Sequence, residues 1–167
     1  ADGQEFALLY RGKSYGAKLP VVGEHHVMNA LAAFAAGIEA GMTPEEIVPA
    51  FLRYEASGMR QRIEKRGGIT VILDCYNASP TSMESSLSVL GGMTVPGRKC
   101  AVLGDMLELG DASESGHRAT GEWAADAGVS LLIAYGPNSA AMAEAAKKRG
   151  LATVHCQTAA EVLQYLQ

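Results

Sequence analysis

The chain opens on two short apolar runs, residues 5–10 and 15–22, separated by the turn-forming Arg11-Gly12-Lys13-Ser14, a pattern that predicts a β-hairpin with Pro20 near its end. Two helices are expected next. The first, from about His25 to Glu39, is rich in alanine, apolar on most sides, and stops at Gly41. The second opens at Thr43-Pro44-Glu45-Glu46, with threonine placed to cap, proline at the first helical position and acidic residues in the first turn. The polar Glu55-Ala56-Ser57-Gly58 reads as a linker.

Beyond it the pattern changes to strands alternating with helices. Strands are predicted at 60–65 and 69–74, paired across Gly67-Gly68, then at 99–103, 130–134 and 152–155. Helices are expected to start near Pro80, Ser113, Asn138 and Ala159. Such alternation predicts an α/β fold, a Rossmann-like, mostly parallel sheet flanked by helices, preceded by the hairpin and two helices. The expected division is into residues 1–57 and 58–167. A hairpin and two helices form too small a set to bury a helix apolar almost all round, so the first part is expected to pack on a larger domain, and the sheet is expected to continue after the last helix.

Charge and cysteine usage narrow the function classes. The 14 basic and 18 acidic residues nearly cancel, with no basic cluster suited to nucleic acid or a membrane surface, which favours a small soluble ligand. The three cysteines, Cys75, Cys100 and Cys156, lie far apart and each follows a β-like run, so buried free thiols in a reducing cytoplasm are expected, not a disulfide framework. No signal peptide is recognisable, and no apolar run reaches the roughly 20 residues of a membrane helix.

Gly12-Lys13-Ser14 has the tail of a phosphate loop, but the pattern needs a glycine where Ala7 stands, and Leu8-Leu9-Tyr10-Arg11 is strand-like. No helix comes next whose N-terminus would hold phosphate; the segment reads as a turn.

Four other segments carry chemistry. In Ile72-Leu73-Asp74-Cys75-Tyr76-Asn77-Ala78-Ser79-Pro80 an apolar strand delivers Asp74 to its C-terminal end, where open α/β sheets bind ligands. Asp74 can accept from ribose hydroxyls or hold a magnesium-bound water; with Ser79 it can equally be a plain loop and cap residue. In Gly58-Met59-Arg60-Gln61-Arg62-Ile63-Glu64 an arginine on the first strand after a linker offers a fork of donors to phosphate oxygens, or makes an exposed salt bridge. In Gly23-Glu24-His25-His26-Val27-Met28-Asn29, Asn29 lies one turn beyond the histidines, so that all three can face one ligand; without a third metal ligand nearby, capping or packing is the expected role of the histidine pair. Finally, Val102-Leu103-Gly104-Asp105-Met106-Leu107-Glu108-Leu109-Gly110 ends an apolar strand in Gly-Asp, and Asp105 and Glu108 are either receivers of a substrate amine or solvated loop carboxylates. His117, behind this acidic turn, is expected at the surface.

In this order the four segments resemble the Mur ligase family from about residue 5 to the end, most specifically through Asp74-Cys75-Tyr76-Asn77-Ala78-Ser79-Pro80 and Val102 to Gly110. The resemblance is strongest to members that add D-alanyl-D-alanine to UDP-N-acetylmuramoyl-tripeptide in peptidoglycan synthesis. It implies a cytoplasmic, ATP- and magnesium-dependent ligase forming a C–N bond through an acyl phosphate. Residues 1–57 would end the central ATPase domain, and 58–167 would be the Rossmann-like C-terminal domain. The resemblance places Asn29 at the adenine, Arg62 at the phosphates, Asp74 at the ribose, Tyr76 and Asn77 along the same nucleotide edge, and Asp105 and Glu108 toward the dipeptide. Where the family has asparagine after the histidine of the third segment this chain has His26, a further nucleotide-side residue. The family's phosphate loop, carbamylated lysine and magnesium ligands would precede Ala1, and its last strand and Lys-Gly-Ser-type loop would come after Gln167, so the chain alone is expected to be inactive. Other readings are a different Mur-type or folylpolyglutamate-type ligase, disfavoured by Tyr76-Asn77-Ala78-Ser79-Pro80 with Gly104-Asp105-Met106, and a receiver-like signalling domain, disfavoured because receivers carry a lysine late in the sheet and after Lys99 this chain has only Lys147 and Lys148, both on a predicted helix.

Overall fold

The computed structural model describes residues 3–55 and 58–166. The chain divides into two compact units, residues 1–73 and 74–167.

In the first unit, β1 (Gln4–Tyr10) and β2 (Lys13–Leu19) pair antiparallel with Tyr10 opposite Lys13. The connection is a two-residue turn with Arg11 and Gly12 both at positive φ (47° and 76°), the geometry that matches the twist of paired strands. Lys13 and Ser14 therefore lie in a strand, which disposes of the phosphate-loop resemblance. α1 (Glu24–Glu39) buries Ala30 and Phe34 with Leu8, Ala17 and Leu19 of the hairpin and with Ile47 and Phe51 in one apolar core, and buries His26 as well. Its opposite side carries the exposed Met28 and Leu31. α2 (Pro44–Ala50) begins with the expected cap: Glu46 accepts from both the amide and the hydroxyl of Thr43, each at 2.8 Å. Ala56 and Ser57 of the predicted linker lie outside the described residues. β3 (Arg62–Arg66) and β4 (Ile69–Leu73) then form a second antiparallel hairpin across Gly67-Gly68.

The second unit holds a parallel sheet of three strands among the described residues, β5 (Cys100–Gly104), β6 (Leu131–Tyr135) and β7 (Thr153–Cys156), with β6 in the middle. Successive side chains of a strand point to opposite faces. One face of the sheet buries Ala101, Leu132 and Ala134 against α3 (Pro80–Gly92), α4 (Ser113–Asp126) and α5 (Ala140–Lys148), through Leu87, Ala124, Met142, Ala143 and Ala146. The other packs Ile133 and Cys156 on Val162 of α6 (Ala159–Leu166). Leu132, Ile133 and Ala134 are all fully buried, as a central strand covered on both sides requires. α4 and α5 approach so closely at Gly121 that an added Cβ would lie 2.2 Å from the Met142 carbonyl oxygen. No helix among the described residues is long and apolar enough to cross a membrane.

Candidate functional site

The parallel strands of the second unit deliver the ends of β5, β6 and β7 to one rim, where the connecting loops carry polar groups. Asp105 leaves β5 half-buried, and its carboxylate is engaged by the loop before α5: the Asn138 amide donates to it at 3.1 Å and the Ser139 amide at 2.8 Å. The Ser139 hydroxyl lies 2.7 Å from the same carboxylate and 2.9 Å from the Tyr135 carbonyl, its one proton serving either acceptor. A carboxylate at this helix start also meets the positive end of the α5 dipole. Gly136 makes the approach possible: it has φ +108°, and a Cβ there would sit 2.5 Å from the Asp105 carboxyl carbon. The His155 imidazole Nε2 donates to the Gly136 carbonyl at 2.7 Å, tying the end of β7 to the same loop.

After Asp105 the chain turns inward and then out. Met106 is fully buried, whereas Leu107 and Glu108 are exposed, Leu107 at 67%. Glu108 holds a left-handed φ of 63°, rare for a residue with a side chain. His117 does not lie at the surface as expected; it is fully buried in α4, accepting from the Met106 amide at Nε2 (3.0 Å) and facing the Ser113 carbonyl at Nδ1 (2.7 Å). The buried side of α4 is made of Gly116, His117, Thr120, Gly121 and Ala124, small or polar residues that give no apolar periodicity to read.

Asp74 stands half-buried before α3, and the Ser86 hydroxyl donates to its carboxylate. Ser79 caps α3: its hydroxyl accepts from the Ser82 amide at 3.3 Å and its own amide donates to the Ser82 hydroxyl at 2.9 Å. Tyr76 and Asn77 are exposed between the two. Cys75 is exposed as well, contrary to the expectation of a buried thiol, because β4 ends at Leu73 and leaves it in the polar loop; Cys156 is buried and Cys100 half-buried. Burial, with a smaller contribution from Glu161, pushes the Cys156 thiol pKa up.

In the first unit, Asn29 is exposed on α1 and His25 half-exposed, but His26 is buried, its ring 5.7 Å from that of Tyr54. The three residues therefore do not share a face; a step of about 100° per residue turns His26 inward. Arg62, at the start of β3, places its guanidinium 2.7 Å from one Glu64 oxygen while Arg66 takes the other at 2.8 Å. Residues 62, 64 and 66 share one face of the strand, so two exposed guanidinium forks flank one carboxylate, a donor set that fits phosphate oxygens. A shallow groove of about 620 Å³, lined among others by Phe6, Ala17, Val48 and Leu52, contains none of the predicted residues. Among the described residues no group of three or more His, Cys, Asp or Glu side chains is arranged to hold a metal ion.

Residues 60–167 match the family described as Mur ligase, glutamate ligase domain. The chain belongs to the Mur ligase family. This Mur ligase chain is 40% identical over 131 residues to the UDP-N-acetylmuramoyl-tripeptide--D-alanyl-D-alanine ligase of Bacillus subtilis, an alignment that covers 78% of the chain and 29% of the relative. It is 35% identical over 146 residues to the ligase of the same name from Escherichia coli, covering 87% of the chain and 32% of the relative. A crystal structure of MurF from Acinetobacter baumannii superposes with a TM-score of 0.89 at 33% identity, over 99% of this chain and 35% of that one. The MurF ligase of Thermotoga maritima, solved in complex with ADP, shares the fold at a TM-score of 0.73 and 19% identity, over 99% of this chain and 39% of that one. The Mur ligase chain thus spans about a third of the length of the relatives it matches.

Proposed function

We propose that the chain is the C-terminal part of a cytoplasmic, ATP- and magnesium-dependent ligase that adds D-alanyl-D-alanine to UDP-N-acetylmuramoyl-tripeptide. The observation that carries this reading is the 40% identity, over 131 residues, to the UDP-N-acetylmuramoyl-tripeptide--D-alanyl-D-alanine ligase of Bacillus subtilis. ATP would supply the phosphoryl group that converts the tripeptide carboxylate to an acyl phosphate; the dipeptide amine then attacks the carbonyl carbon and phosphate leaves. Such a reaction asks the protein for positive charge at the transferring group and for an aligned amine.

In the first unit, Arg62 supplies the cation for phosphate oxygens, with Glu64 holding its fork and Arg66 fixing the other oxygen of Glu64, and the exposed Asn29 supplies an amide for the adenine edge. His26 serves packing. In the second unit, Asp74 and the exposed Tyr76 and Asn77 form the nucleotide edge. Asp105 shapes the rim through the α5 loop, and Glu108 is the carboxylate left open to an incoming ammonium. The magnesium ligands and the rest of the ATP site belong to other parts of the ligase. The family match over 60–167 supports a domain boundary near residue 58, with the β3–β4 hairpin belonging to the C-terminal domain.

Two measurements test the reading. The purified chain is expected to release no phosphate from ATP in the presence of both substrates. A chimera in which this chain replaces the matching segment of the Bacillus subtilis ligase is expected to release phosphate only when D-alanyl-D-alanine is added. Turnover by the chain alone, or a chimera driven by a free amino acid in place of the dipeptide, refutes it.

A further inference from the structure

We propose that His117 is a positioning residue that fixes the Leu107-Glu108 tip to receive the amine end of a small dipeptide; the ligand half of this inference rests on the ligase reading above. The two partners of the imidazole determine where its proton sits. The Ser113 carbonyl can only accept, so Nδ1 carries the proton; the Met106 amide can only donate, so Nε2 offers its lone pair. The partners thus select one neutral tautomer of a fully buried ring.

The amide it accepts from lies at a junction. Asp105, one residue before, is pinned through its side chain to Asn138 and Ser139, and Met106 is pinned through its backbone to His117 and through its buried side chain to the core, with the Thr120 hydroxyl 4.0 Å from its sulfur. Two consecutive residues are therefore anchored to two different elements, the loop before α5 and α4, which leaves the next two, the exposed Leu107 and the exposed, left-handed Glu108, to face a ligand. An apolar side chain beside a carboxylate, on a base that cannot shift, matches a ligand with an ammonium group next to methyl side chains. A loop required only to link β5 to α4 needs neither the exposed leucine nor the strained glutamate.

The test uses the full chain labelled with ¹⁵N and two variants. His117→Gln keeps an oxygen acceptor for the Met106 amide; His117→Phe keeps the ring and removes the acceptor. In the wild type, the imidazole ¹⁵N spectrum is expected to show the Nδ1–H tautomer near neutral pH. Amide exchange at Met106, Leu107 and Glu108 is expected to rise about tenfold in the Phe variant, the scale of one lost hydrogen bond, with β6 unchanged, and to return most of the way in the Gln variant. Titration with D-alanyl-D-alanine is expected to shift the Leu107 and Glu108 amides, with weakened binding in the Phe variant and recovery in the Gln variant. A wild-type ring that is cationic or protonated at Nε2, or loop exchange equal in both variants, overturns the positioning role, and the wild-type spectrum decides it even if the Phe variant does not fold. A loop that responds to residue 117 as expected but shows no shift with the dipeptide overturns the ligand assignment instead.

Discussion

Replacing Asp105 by alanine tests whether the rim of the sheet is held by one carboxylate. Three donors converge on it: the Asn138 amide, the Ser139 amide and the Ser139 hydroxyl. The hydroxyl keeps the Tyr135 carbonyl, and residue 138 is exposed enough for its amide to turn to water. The Ser139 residue is fully buried, so its amide loses a charged acceptor and keeps only the longer bond to the Gly136 carbonyl at 3.3 Å. A hydrogen bond to a charged group contributes about 1.5–3 kcal/mol, and the remaining Gly136 bond offsets part of its loss. Adding about 0.5 kcal/mol for the charge at the α5 N-terminus, the expected loss is about 2–3 kcal/mol. Asp105→Asn keeps one oxygen for the Ser139 amide and loses only the charge and the second acceptor, for which about 1–2 kcal/mol is expected. Urea unfolding monitored by circular dichroism measures both, with the midpoint moving and the slope unchanged. If alanine costs under about 1 kcal/mol, or if asparagine is no better than alanine, the carboxylate does not hold the rim.

Three further perturbations probe helix packing and two titrating groups. Gly121→Ala places a Cβ 2.2 Å from the Met142 carbonyl, and the backbone contact leaves α4 and α5 no escape but to separate; a loss of about 3 kcal/mol or more is expected in a thermal melt, and a neutral result would remove the close helix contact. Glu46 has its pKa lowered by the Thr43 amide and then the Thr43 hydroxyl, so its contribution to stability is present above the ordinary glutamate range and is lost as pH falls through the lowered value. Glu46→Gln is expected to flatten the acid side of the stability profile, and an unchanged profile would show that the cap does not hold in solution. Cys156 has its pKa raised by burial, so its contribution is intact below the unfolded-state value of about 8.5 and declines as pH rises above it. Cys156→Ala is expected to reduce the alkaline slope of stability while lowering stability at neutral pH through lost packing.

The parts of the fold that were legible in the sequence are those where backbone chemistry is local. Arg11-Gly12-Lys13-Ser14 announces a hairpin turn, which the structure tightens to Arg11-Gly12, and Thr43-Pro44-Glu45-Glu46 and Ser79-Pro80 announce helix starts that the structure places within a residue of their expected positions. Strand ends slide by up to three residues, most at β2, because apolar runs mark a strand's middle better than its limits. The failures came where long-range contacts decide. His117 reads as a surface residue because α4 buries histidine, threonine and glycine, and only the distant Met106 amide explains the burial. Asp105 reads as an open carboxylate because its partners, Asn138 and Ser139, lie on another loop. Spacing alone puts His26 and Asn29 on one face, yet the ring contact with Tyr54 draws the histidine inward.

The complete burial of β6 has a mechanical consequence. A strand hydrogen-bonded on both edges and covered on both faces has no cheap sideways or lengthwise movement, so the segments hung from its two neighbours share one fixed frame. Whatever docks at that rim meets surfaces whose spacing is preset, and the freedom to adapt is left to the few residues that project beyond it.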